Sequence, residues 1–169
     1  MLIFGYGSNM LLQKLKMNVP SANKVTNAFI TGYRLSFNKV SRKDGSAKAN
    51  IWHTGNEIDI VWGVVFDIED GEKEALDREE GLGRGYKQMP VSVKTFEGNS
   101  MSASAYIADE RAISNDLLPF DWYKEMVITG AKRNELPEDY ISGLEKFKFR
   151  VDEDEVRRRL KYQIIYNED

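Results

Sequence analysis

Lys87-Gln88-Met89-Pro90-Val91-Ser92-Val93-Lys94-Thr95-Phe96-Glu97-Gly98-Asn99-Ser100-Met101-Ser102-Ala103-Ser104-Ala105-Tyr106-Ile107-Ala108 is the stretch that decides the fold class. It predicts two strands, about Lys87–Phe96 and Ser102–Ala108. Glu97-Gly98-Asn99-Ser100 supplies turn chemistry that pairs them as a hairpin. Upstream, Ile60-Val61-Trp62-Gly63-Val64-Val65-Phe66 is nearly continuous apolar, as for a strand buried on both faces. Phe29 to Val40 reads as one strand, with Tyr33, Leu35 and Phe37 alternating against Arg34, Ser36 and Asn38. Asn50 to Thr54 and Leu2 to Tyr6 read as shorter strands. Ser41 to Ser46 is a polar turn or mobile loop. Helices are predicted over Met10–Lys16, over Asp67–Glu80 with Gly81 as a left-handed cap, and from Trp122 to about Lys132. Two more follow, one with Pro137 at its first position and one over about Asp152–Tyr162. Strands come first and helices late, with hairpin pairing. That order predicts α+β rather than alternating βαβ. With 169 residues, no repeat and no dividing linker, one domain over 1–169 is expected.

Composition removes several kinds of chemistry. There is no cysteine, so disulfides, thiolate zinc sites, iron–sulfur clusters and a cysteine nucleophile are out. The single histidine, His53, cannot make a two-histidine metal site, and a structural or surface role is expected for it. The chain carries 24 Lys+Arg against 27 Asp+Glu, which is not the basic surplus of a nucleic-acid binder. Arg157-Arg158-Arg159 follows Asp152-Glu153-Asp154-Glu155, an order that suits a solvated helix aligned with its macrodipole. No apolar run approaches the ~18 residues of a membrane span. The first residues lack the basic and long apolar regions of a signal peptide. A cytoplasmic protein without membrane or nucleic-acid partners is expected.

Two segments carry candidate chemistry. In Gly5-Tyr6-Gly7-Ser8-Asn9, two glycines flank a tyrosine between a strand and a helix. Successive backbone N–H groups there can form an anion nest for a carboxylate or a phosphate. A tight turn without a ligand is the other reading. The dinucleotide and P-loop fingerprints are missing. In Leu76-Asp77-Arg78-Glu79-Glu80-Gly81, carboxylates stand at a helix C-terminus, where the dipole disfavours their ionisation. That tuning suits a general base near neutral pH, against the alternative of a solvated helix end. Glycine after Glu80 lets the chain reverse and turn Glu80 inward. Trp122, Tyr123 and Tyr106 could line a pocket, while Trp62 and Phe66 read as core. Nothing like Gly-x-Ser-x-Gly surrounds Ser8, so a serine nucleophile is not favoured.

Together these pieces resemble the γ-glutamylcyclotransferase family, including its AIG2-like members. Phe4-Gly5-Tyr6-Gly7-Ser8-Asn9-Met10 is similar to its Tyr-Gly-Ser-Asn substrate loop. Val61-Trp62-Gly63-Val64-Val65-Phe66 resembles its Val-Trp-Gly strand, and Leu76–Gly81 its Leu-Asp-x-x-Glu-Gly segment. Tyr123-Lys124-Glu125-Met126-Val127-Ile128-Thr129-Gly130-Ala131-Lys132, followed by Leu136-Pro137 and Tyr140, resembles its Tyr-Lys helix. The likeness covers roughly residues 2–145. The glycine-rich run Gly81–Tyr86 departs from the pattern, and the chain after about Arg150 matches nothing in it.

The resemblance implies a mixed, mostly antiparallel β-barrel-like sheet with surrounding helices. It implies an enzyme that uses no cofactor and no metal. The substrate's own α-amine would attack its γ-carbonyl, giving 5-oxoproline and releasing an amine. Glu80, not Glu79, would be the catalytic acid/base. Gly5, Tyr6, Gly7, Ser8, Asn9 and Tyr123 would bind the substrate, with the loop amides on the α-carboxylate or on the developing oxyanion. The loop carries Asn where the glutathione-directed branch has a Leu-type continuation, which points to γ-glutamyl amino acids or amines. The partner is then a small γ-glutamyl molecule, and the assembly a monomer or homodimer. A non-catalytic carboxylate-binding module is the rival from another class. A nearer rival is a sister enzyme acting on a γ-glutamyl group borne by a carrier protein or antibiotic precursor.

Overall fold

A computed structural model of the chain describes residues 1–167. Seven strands form: β1 (Leu2–Gly5), β2 (Asn23–Thr31), β3 (Tyr33–Val40), β4 (Ala47–His53), β5 (Ile60–Asp67), β6 (Tyr86–Thr95) and β7 (Ser100–Ala108). Five of them close into a barrel in the order β1-β5-β2-β6-β7. All its neighbours are antiparallel except β1 and β7, whose parallel contact at Ile3 and Ser104 completes the ring. The predicted hairpin is present, running from Tyr86↔Ala108 to Lys94↔Ser100. β3 and β4 form a separate two-stranded sheet. The architecture is α+β with a closed mixed barrel and outer helices, as expected.

The helices are α1 (Leu12–Lys16), α2 (Lys73–Glu80), α3 (Asp121–Arg133), α4 (Glu138–Glu145) and α5 (Glu155–Tyr166). The structure corrects three sequence readings. Phe29–Val40 is not one strand. Gly32 takes a positive φ of 77° and ends β2, so the chain leaves the barrel and starts the separate sheet. The Ile60–Phe66 strand is not buried throughout. Trp62 is half-buried and packs outside the barrel against Phe29 and Phe96, at ring distances of 4.7 and 4.6 Å. The helix after β5 begins only at Lys73, behind a 3₁₀ turn at Asp70–Glu72, but it does end at a left-handed Gly81.

The acidic–basic run forms the largely exposed helix expected of it, anchored at its start. Asp152 precedes α5 and is buried, accepting bonds from Trp122 Nε1 at 2.7 Å and from Arg157 Nε at 2.6 Å. Asp154 is the cap, accepting from the Arg157 amide at 2.9 Å. Arg158 pairs with Asp121 at the start of α3. The segment after Arg150 therefore clamps α5 onto α3.

Two close approaches put the loop after β1 in place. A Cβ on Gly63 would lie 2.4 Å from the Gly5 carbonyl oxygen, so glycine there lets β1 and β5 meet. A Cβ on Gly130 of α3 would lie 2.9 Å from the Leu11 amide nitrogen, so glycine lets the helix press on residues 10–11. Met10, Leu11 and Leu15 are fully buried under it.

Candidate active site

β1 runs straight into the glycine loop. Ser8–Met10 make one 3₁₀ turn, closed by the Met10 amide donating to the Gly7 carbonyl at 3.0 Å. The Leu11 amide donates to Ser8. Among the described residues, the amides of Gly7, Ser8 and Asn9 have no backbone acceptor. From the other side α2 ends at Glu80. The Asn9 side-chain amide donates to Glu80 Oε1 at 2.7 Å, across 71 positions of sequence. Lys14 Nζ donates to Asn9 Oδ1 at 2.6 Å, which orients that amide with its NH₂ toward the carboxylate. Neighbouring Glu79 points elsewhere and pairs with Lys43 at 2.8 Å. Burial raises the Glu79 carboxyl, but the Lys43 hydrogen bond and the charges of Lys14, Lys43 and Lys161 outweigh it and hold it below its ordinary value.

The loop and Glu80 face one cleft of about 320 Å³, its open mouth included. Phe4, Gly5, Tyr6, Gly7, Ser8, Asn9, Ala49, Glu80, Tyr86, Tyr106 and Tyr123 line it. All seven residues singled out from sequence thus converge here. Tyr106 joins them. Trp122 does not: its indole faces away, bonded to Asp152. His53 stays exposed at the end of β4, edge-on to the Tyr33 ring.

Four tyrosines wall the cleft, and each hydroxyl is tied down. Tyr6 donates to the Tyr106 carbonyl, and Tyr106 to Asp77 at 2.6 Å. Lys73 in turn donates to Asp77 at 2.5 Å. Tyr86 donates to the Ala49 carbonyl at 2.6 Å, and the Ala49 amide donates to the Tyr123 oxygen at 3.1 Å. Burial pushes the Tyr123 hydroxyl up to about 12. Burial also raises Tyr6, Tyr86 and Tyr106, and the Glu80 charge adds to it in each. The walls are therefore neutral near pH 7 and offer oriented dipoles. A Cβ on Gly7 would lie 2.9 Å from Ala49 Cβ, so the loop lies flat on this wall.

Sequence reasoning missed Tyr86, Phe4, Ala49 and the outer props Lys14 and Asp77. Tyr86 closes the glycine-rich run Gly81–Tyr86, which was a usable signal. Ala49 carries no chemistry of its own, and only the fold could find it. Among the described residues, no group of three His, Asp or Glu side chains is arranged to hold a metal ion, and no helix is long and apolar enough to cross a membrane.

The AIG2-like family profile matches residues 60–144. The chain is 31% identical over 150 residues to γ-glutamylcyclotransferase of Bos taurus, covering 85% of this chain and 76% of that protein. The Homo sapiens γ-glutamylcyclotransferase matches at 31% over the same shares. A solved structure of a γ-glutamyl cyclotransferase superposes with a TM-score of 0.82 at 28% identity, covering 96% of this chain and 98% of that one.

Proposed function

Because the chain belongs to the AIG2-like family together with the γ-glutamylcyclotransferases, we propose that it releases 5-oxoproline from a γ-glutamyl amino acid or amine, with Glu80 as general acid/base. The observation that carries this reading is the Asn9–Glu80 hydrogen bond inside the tyrosine-walled cleft. It fixes one carboxylate beside a loop whose Gly7 and Asn9 amides have no backbone acceptor among the described residues.

The chemistry explains why one carboxylate suffices. The α-nitrogen attacks the γ-carbonyl carbon and forms the ring C–N bond. The tetrahedral intermediate then expels the original amide nitrogen. The substrate α-ammonium carries three hydrogens and the lactam nitrogen keeps one. The amide nitrogen carries one and leaves as an ammonium with three. Both protons move from the attacking nitrogen to the leaving one, and these two nitrogens are bonded to the same carbon. A single carboxylate beside that carbon takes each proton and hands it on. Attack is intramolecular, so walls that hold the glutamyl chain curled supply much of the acceleration.

The N–H groups of Gly7 and Asn9, which have no backbone acceptor among the described residues, take the α-carboxylate, beside a Ser8 amide that faces the Tyr123 hydroxyl. The fixed tyrosine dipoles and the aromatic walls keep water from competing. Asn9 and Lys14 are positioning residues that hold Glu80 through hydrogen bonds.

The test is a panel of γ-glutamyl amino acids, γ-glutamyl amines and glutathione, with 5-oxoproline measured by mass spectrometry. Release from amino-acid or amine substrates, with glutathione the poorest, is expected. A γ-glutamyl ligand that binds and is recovered intact would instead identify a binding module.

A further inference from the structure

We propose that Lys48 is a positioning residue for the reaction: from behind the cleft wall its ammonium holds the Tyr123 ring, so turnover falls when that charge is lost. This rests on the cyclotransferase reading above.

Lys48 does not line the cleft. It precedes Ala49 on β4, and strand alternation turns its side chain to the opposite face. There Nζ stands 4.5 Å from the centroid of the Tyr123 ring and 4.6 Å from that of Trp122. The two rings meet edge-on at 5.9 Å, and the ammonium fills the angle between them. Successive residues of β4 therefore grip one tyrosine twice. The Ala49 amide donates to its hydroxyl at 3.1 Å, and Lys48 faces its ring.

The grip is itself anchored. Lys48 Nζ donates to Asp44 Oδ2 at 2.8 Å and to the Ser46 hydroxyl at 2.9 Å. Asp44 Oδ1 accepts from the Ser46 amide at 3.0 Å and from its hydroxyl at 2.8 Å. Ser46 is fully buried, and the side chains of Asp44 and Lys48 are only 8% and 14% exposed.

Stability alone does not account for so buried a charge. Burial lowers Lys48 to about 8 from an ordinary 10.5, although the charge and hydrogen bond of Asp44 pull it up. Lys161 of α5 and Lys39, across the ladder on β3, lower it further. Tyr123 of α3 is held up at about 12 and stays neutral. The unfolded chain thus keeps the Lys48 proton to higher pH than the folded one. Folding stability gains as pH rises from about 8 toward 10.5. The charge opposes stability, and what it provides is the placement of the ring. Turnover therefore takes the opposite sign, because the neutral amine no longer holds the aromatic face.

The experiment compares the wild type with Lys48→Arg, whose guanidinium stays charged throughout. It adds the double variant Lys48→Met, Asp44→Asn, which removes the charge without stranding a buried acid. The readouts are kcat and KM for 5-oxoproline release from γ-glutamylalanine, urea unfolding and near-ultraviolet circular dichroism, over about pH 6.5–9.5. Relative to Lys48→Arg, wild-type kcat/KM should fall about tenfold with a midpoint near pH 8, while its unfolding free energy rises over the same interval. The near-ultraviolet signal of the packed rings should change with that midpoint. The double variant should be about tenfold slower than the wild type at about pH 7, and the difference should vanish above about pH 8. A wild-type to Lys48→Arg ratio constant with pH overturns the proposal. So does a double variant as active as the wild type at neutral pH, or activity and stability that rise together, as for a merely structural lysine. If the wild type released no 5-oxoproline at any pH, the cyclotransferase reading itself would fail, and the near-ultraviolet step would still decide whether Lys48 holds the ring.

Discussion

Replacing Glu80 by Gln, with Glu79→Gln as its neighbour control, separates two carboxylates that the sequence sets side by side. Gln keeps the shape of Glu, and its Oε1 still accepts from Asn9, which donates at 2.7 Å in the native protein. What is lost in stability is the difference between a charged and a neutral hydrogen bond, about 1 kcal/mol. What is lost in catalysis is the only group proposed to carry protons between the two nitrogens. Positioned acid/base groups contribute about 10²–10⁴ in rate, or about 2.7–5.5 kcal/mol of barrier. The curled, loop-bound substrate remains, so a residual rate from proximity persists. Glu79 is held to Lys43, whose side chain is 70% exposed, and such a pair contributes about 0–1 kcal/mol. Glu79→Gln should leave kcat/KM within about twofold. The assay is 5-oxoproline release from γ-glutamylalanine over a substrate series, with thermal unfolding of each variant alongside. If Glu80→Gln kept more than about a tenth of kcat, a value outside the general acid/base range, the assignment would be wrong. It would be equally wrong if Glu79→Gln fell as far.

Three further outcomes are expected. Gly7→Ala puts a Cβ 2.9 Å from Ala49 Cβ, and neither atom ends a flexible chain, so the loop must shift. kcat/KM should drop by about tenfold or more, and the double variant with Ala49→Gly should recover part of it; no recovery would show that the contact is not the cause. Tyr123→Phe strips the acceptor from the buried Ala49 amide and should lower stability by about 1–3 kcal/mol in urea unfolding, whereas an unaltered midpoint would mean the bond is not needed. Asp152 is held at about 2, chiefly by its hydrogen bond from Arg157, against an ordinary 3.8. A depressed folded pKa means its contribution is complete above about pH 4 and disappears as pH falls toward about 2. That contribution is at most about 2 kcal/mol. The stability gap between wild type and Asp152→Asn should close over that interval, followed by tryptophan fluorescence. A gap constant with pH would remove Asp152 from the acid response.

Much of the cleft was legible because its parts are local signals. Two glycines around Tyr6 announce a loop, Gly81 announces a helix end, and Glu80 precedes it directly. Both features sit where expected. Where the reading failed, a distant partner had decided the outcome. Phe29–Val40 alternates as one strand, yet Gly32 divides it because β2 is needed between β5 and β6. Asp152 looks like a helix-end acid, yet it is buried because Trp122 and Arg157 both donate to it. Trp122 looks like pocket lining for the same reason in reverse.

The sequence by itself determined the hairpin, the α+β order, the reversing glycines and, through a lack of cysteine and a single histidine, that acid/base work falls to a carboxylate or a tyrosine. These follow from neighbours along the chain, whose turn geometry and periodicity need no third dimension. Only the tertiary structure decided that the Asn9 side chain reaches Glu80 and that Tyr86 and Ala49 complete the wall. Barrel closure brings together groups some seventy positions apart, as Asn9 and Glu80 are, which no local spacing can announce.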